Sequence, residues 1–144
     1  MAHVERDIEI NRSPADVLAF VADGLNNPKW RELVLSVALK SGEAASEGAE
    51  YTQVMKGPAG SKIKGDYRIT KLVPEQELVF EVFTGMVQPT GRFVVKPSGE
   101  GTNLSFALDY QPRGIKRLMD GMITKTMQKE ADVEALKAAI EAAG

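Results

Sequence analysis

From Arg113 to Gly144 the chain has no proline, and a mostly apolar set recurs at steps of three and four: Ile115, Leu118, Met119, Met122, Ile123, Thr126, Val133, Leu136 and Ile140. At about 100° per residue these positions fall on one stripe. Lys116, Arg117, Lys125, Lys129, Asp132 and Glu134 lie on the other side. The pattern predicts one long amphipathic helix. Such a helix must bury its stripe. Apart from one short early segment, the preceding chain reads as strands, so the partner is a sheet.

Val4, Ile8 and Ile10 alternate with Glu5, Asp7 and Glu9, the period of a half-buried strand, with Arg6 on its apolar side. Ser13-Pro14-Ala15-Asp16 is a helix start, with a serine cap and proline at the first helical position. Val17, Leu18, Phe20 and Val21 form its buried side, and Asn26-Asn27-Pro28 predicts a cap for a second short helix holding Trp30 and Leu33. Period two then takes over. Leu35, Val37 and Leu39 share one strand face, as do Tyr51, Gln53 and Met55 on the next. Gly57-Pro58-Ala59-Gly60 predicts a hairpin turn. Ile63, Tyr67 and Ile69 share a face of the following strand, bent at Gly65. Three more strands follow, carrying Leu78, Phe80 and Val82, then Phe93 and Val95, then Leu104, Phe106, Leu108 and Tyr110. Short turns between consecutive strands imply antiparallel pairing. At 144 residues without repeat or linker, residues 1–144 are expected to form one domain.

The order strand, two helices, six strands, long helix resembles the helix-grip fold of the START-like, or SRPBCC, superfamily, and within it the polyketide cyclase/dehydrase-type proteins. The resemblance rests on Ile8 through Val17, on Asp23 followed by Trp30, on Gly48-Ala49-Glu50-Tyr51, on Gly65 through Thr70 with Pro74, and on Gly99-Glu100-Gly101-Thr102. It implies an α+β, Bet v 1-like architecture. A seven-stranded antiparallel curved sheet wraps a long C-terminal helix, two short helices follow strand 1, and an apolar cavity lies between sheet and long helix.

The inward faces would then offer that cavity Tyr51, Gln53, Met55, Tyr67, Phe80, Phe93, Phe106 and Tyr110 from the sheet. Met119, Met122, Ile123 and Thr126 would come from the helix, with Trp30 near the mouth. An apolar pocket with a few polar groups is what a small-molecule site looks like, and methionine adapts well to a ligand. The same alternation serves a close-packed core, which is the preferred reading for the aliphatic side chains and for Trp30. Tyr67, Gln53 and Thr126 would each need a partner if buried, and a ligand is one candidate. Arg6 and Glu130 could pair inside, but a solvated position is preferred for both.

Several chemistries are set aside. There is no cysteine, and His3 is the sole histidine, so no thiolate nucleophile, histidine triad within the pocket or multi-histidine metal site is expected. No cofactor is expected either. Gly57 to Lys62 lacks the spacing of a phosphate loop and precedes a strand. A formal charge of -2 makes no case for nucleic acid. No apolar run approaches the roughly 20 residues of a membrane span, and no signal-peptide core is seen, so a cytoplasmic monomer or homodimer is expected.

Three functions remain open. The first is a binding protein for a hydrophobic lipid-, quinone- or polyketide-like molecule. The second is a polyketide cyclase or aromatase using the same cavity by positioning and hydrogen bonding, with its catalytic residues unknown. The third is a protein-interaction module.

Overall fold

The computed structural model describes residues 2–85, 87–110 and 120–143, with the backbone alone at Ala2, Asp120, Met122 and Ile123. Strand β1 (Ala2–Ile10) leads into α1 (Pro14–Ala22) and a 3₁₀ turn (Gly24–Lys29). Seven strands follow: β2 (Val34–Ser41), β3 (Glu50–Lys56), β4 (Lys62–Lys64), β5 (Tyr67–Val73), β6 (Glu77–Val82), β7 (Thr90–Ser98) and β8 (Gly101–Tyr110). Two C-terminal helices, α2 (Asp120–Glu130) and α3 (Val133–Ala143), complete the described chain. The sheet runs β1-β8-β7-β6-β5-β3-β2, with short β4 pairing β3 beside this path. Every pairing is antiparallel. This is the α+β helix-grip arrangement that the element order implies.

Ser13 caps α1 as expected, its Oγ accepting from Asp16 N at 3.1 Å. The second short helix starts earlier than expected. Asp23, not Asn26 or Asn27, is its cap, accepting from Leu25 N at 3.1 Å, and Trp30 closes it. The stripe of the C-terminal helix is divided at Ala131–Asp132. There Asp132 Oδ1 accepts from Ala135 N at 3.0 Å and starts α3 afresh. Val133, Leu136 and Ile140 remain on the buried side, and both helices pack against β1. The expected helical residues 113–119 lie outside the described residues.

Two strand readings change. Ile63 and Tyr67 do not share one strand, because the buried Asp66 separates β4 from β5. Its Oδ1 accepts from Gln53 N (3.0 Å), its N donates to Thr84 Oγ1 (2.7 Å), and its O accepts from Phe83 N (2.9 Å). These bonds fix a break in the ladder, and Ile63 is exposed. In β2, register shifts between Val34 and Ser36 and between Leu39 and Ser41 interrupt the alternation, leaving Leu35 and Leu39 exposed.

The inward face of β5 to β8 is aromatic. Phe93 and Phe106 stack with centroids 4.3 Å apart, and Trp30 meets both edge-on at 6.4 and 5.8 Å. Gly91 makes room for Phe80: a Cβ there would lie 2.1 Å from Phe80 Cζ. Phe80 is itself held by Tyr67, Phe93 and Phe106. Gly91→Ala is therefore expected to lower stability by about 1–3 kcal/mol, the usual cost of overpacking. Denaturant unfolding measures it, and an unchanged midpoint would show that the ring has somewhere to go.

Candidate functional site

A cavity lies among Val21 of α1, Asn27, Trp30 and Arg31 at the 3₁₀ turn, and Tyr67, Ile69, Leu78, Phe80 and Phe93 of β5 to β7. The space open to the centre of a water-sized sphere is about 10 Å³, room for about one water. Its walls differ from those expected. Among the described residues the short helices, not the C-terminal helix, form its roof. The C-terminal helix reaches the site through Glu130, at the end of α2.

Glu130 is buried, contrary to the solvated position expected for it, and its partner is Arg31 rather than Arg6, which is exposed. Arg31 Nε donates to Glu130 Oε2 at 2.7 Å, and Nη2 donates to the same oxygen. The two side chains are only 10% and 7% exposed, so the pair is largely withdrawn from water. It ties the segment after the 3₁₀ turn to α2. Two buried atoms beside this pair have no hydrogen-bond partner among the described residues: Glu130 Oε1, an acceptor, and Trp30 Nε1, a donor.

A second polar group sits on the cavity wall. Asn27 Nδ2 donates to Gln53 Oε1 and to the Tyr67 hydroxyl, both at 3.0 Å. Gln53 Nε2 in turn donates to Gly65 O at 3.2 Å. The Tyr67 hydroxyl, expected to need a ligand, therefore accepts from within the protein. Gly24 lets the ring approach, since a Cβ there would lie 2.3 Å from the Tyr67 oxygen. Burial pushes the Tyr67 phenol well above its ordinary range, against the smaller opposing effect of the Asn27 bond. The phenol is thus a neutral group and not a base at neutral pH.

This shift sets a pH dependence. Tyr67 ionises more readily unfolded than folded, so its contribution is fully present below about pH 10 and is lost as pH rises beyond it. Stability is expected to fall above about pH 10, and Tyr67→Phe to flatten that fall. Thermal melts across alkaline pH test this. Equal slopes for both proteins would contradict it.

Of the residues singled out in the sequence, Trp30, Tyr67, Phe80 and Phe93 line the cavity together. Tyr51, Gln53 and Phe106 are buried behind them. Tyr51 stacks on Tyr67 at 5.3 Å, and its hydroxyl accepts from Ala45 N at 2.9 Å, pinning the loop between β2 and β3. Met55 is half-buried on the same face of β3, and Tyr110 is buried at the end of β8. Thr126 does not line the cavity; it is exposed on α2, one residue before the buried Met127. Met119 and the side chains of Met122 and Ile123 lie outside the described residues. Sequence reasoning missed Asn27, Arg31, Val21, Ile69 and Leu78 as wall residues. An arginine directly after the only tryptophan, with an acid near a distant helical stripe, was the available signal for the ion pair.

Among the described residues no group of three or more His, Asp or Glu side chains is placed to hold a metal, and no helix is long and apolar enough to cross a membrane.

The fold is shared with solved structures of low sequence identity. A protein from Thermus thermophilus, TTHA0849, is 20% identical with a TM-score of 0.82, over 99% of each chain. A START superfamily protein from Mycobacterium smegmatis is 14% identical with a TM-score of 0.76, over 100% of each chain. Ara h 8.0201 is 12% identical with a TM-score of 0.70, over 97% of each chain. A comparison with curated proteins found no match. The family model described as polyketide cyclase / dehydrase and lipid transport matches residues 1–141, and the chain therefore belongs to that family.

Proposed function

We propose that this chain binds a hydrophobic small molecule between its sheet and its helices, acting in the cytoplasm as a monomer or homodimer. The observation that carries this reading is an apolar cavity lined by Trp30 and Arg31, in which the buried Trp30 Nε1 has no hydrogen-bond partner among the described residues. The ligand's apolar body lies against Val21, Ile69, Leu78, Phe80 and Phe93. Its oxygen accepts from Trp30 Nε1 and from the Arg31 guanidinium. Glu130 already neutralises Arg31, so a carboxylate would meet a like charge nearby. A neutral carbonyl or hydroxyl fits better, as in a ketone, ester or quinone.

A space for about one water is too small for such a ligand, so binding parts the walls. Among the walls, Arg31 is paired with Glu130 of α2, and the break at Ala131–Asp132 separates α2 from α3, which has its own ties to β1 and the segment after it. Glu141 Oε2 accepts from Asn11 N at 2.9 Å, and Lys137 Nζ donates to Glu9 O at 2.6 Å. The family description, which names lipid transport, supports the same reading.

Native mass spectrometry of the purified chain tests it. The expected result is an added mass that organic solvent extracts and that proves neutral and apolar. A chain that carries no ligand and takes up neither Nile red nor a quinone would overturn the reading. Conversion of a poly-keto chain to a cyclised product would replace it with the cyclase reading that the family description also names.

A further inference from the structure

Four large hydrophobic side chains are strongly exposed among the described residues: Leu25, Leu35, Leu39 and Ile63. Three of them lie on β2 and β4, the strands flanking β3. Two of them lie at the same level of the sheet on either side of β3. Val34 pairs with Met55 and Met55 with Ile63, and Leu35 follows Val34 at the register shift. The β3–β4 turn beyond them, Pro58-Ala59-Gly60, is exposed and uncharged.

The charges at this corner are mainly positive, with the exposed Glu32, 3.7 Å from Lys129, at its border. Residues 33–42 and 51–65 hold Lys40, Lys56, Lys62 and Lys64 and no acid, in a chain whose 20 acidic residues outnumber its 18 basic ones. Lys56 and Lys62 face each other across the hairpin, and neither forms an ion pair among the described residues. Lys64 reaches the buried Asp66 at 3.6 Å, yet its side chain is 69% exposed.

We propose that this corner docks on an anionic lipid bilayer. Leu35 and Ile63 enter the boundary between headgroups and acyl chains, while Lys56, Lys62 and Lys64 keep their ammonium groups among the lipid phosphates. Single apolar side chains set between lysines suit a fluid interface of this kind better than a rigid, closely fitted protein partner, which needs a contiguous apolar centre. Ile63, opposite Met55, lies on the face of β3 that also carries Gln53, while Lys56, Lys62 and Lys64 take the other face, so the hairpin meets the lipid edge-on.

Flotation of the full chain with vesicles tests this. Binding is expected to vesicles of phosphatidylcholine mixed with phosphatidylglycerol, to weaken with salt, and to be absent on phosphatidylcholine alone. The double variant Lys56→Glu, Lys62→Glu is expected to bind about tenfold more weakly or worse, and Ile63→Asp to lose binding similarly. Lys96→Glu, an exposed position on β7, serves as the charge control and should cost much less. All these positions are exposed, so melting temperatures should hold. Absence of binding to the anionic vesicles, equal binding to both kinds, or a double variant no weaker than Lys96→Glu would overturn the proposal. Nile red uptake by the same variants reads the cavity separately, so failure at the membrane and failure of the ligand reading are distinguishable.

Discussion

Leu136→Asp is expected to cost about 3 kcal/mol or more. Leu136 is fully buried, between Val133 and Ile140 on the side of α3 that packs against β1. Aspartate removes that apolar contact and places a carboxylate at a position closed to water. The whole fold of a domain this size is stable by only about 5–15 kcal/mol, so the loss is a large share of the total. Denaturant unfolding reads it directly. A midpoint within error of the parent would mean that α3 is not clamped to the sheet.

Glu130→Ala is expected to cost about 3–5 kcal/mol, because it leaves the Arg31 guanidinium buried and unpaired. Arg31→Met should be destabilising for the complementary reason. Replacing both residues with methionine should recover most of the loss, since two well-packed apolar side chains need no charge compensation. This recovery separates a buried pair from two independently important residues. If the double variant is as unstable as the sum of the singles, the two side chains do not act as a pair.

The parts of the fold legible in the sequence were those governed by one periodicity. In β8, Leu104, Phe106, Leu108 and Tyr110 are all buried, as strict alternation against a single core requires. The start of α1 was legible because Ser13 and Pro14 act on backbone groups within one turn. What was not legible depends on distant side chains. Glu130 looked solvated because its partner lies 99 residues away in the chain. The Tyr67 hydroxyl looked free because Asn27, 40 residues earlier, was read as a cap. The break between β4 and β5 is held by Asp66 through bonds to Gln53, Phe83 and Thr84, and no local pattern announces them. Asp132, read as an exposed position in one helix, instead caps a new one. Even the aromatic wall was only half legible. Alternation marks Phe80, Phe93 and Phe106 as inward, but cannot say that they close on one another and leave space for about one water.

Trp30 is the only tryptophan in the chain and lines the cavity, so its own emission reports on the site. The most direct measurement is a titration of the full chain with Nile red, a neutral apolar molecule bearing a carbonyl, followed through Trp30 fluorescence. The ligand-binding reading predicts a saturable change at one molecule per chain, and markedly weaker binding in Val21→Phe, which narrows the cavity without adding charge. A Trp30 signal that does not change, or that changes without saturating and equally in Val21→Phe, would contradict it.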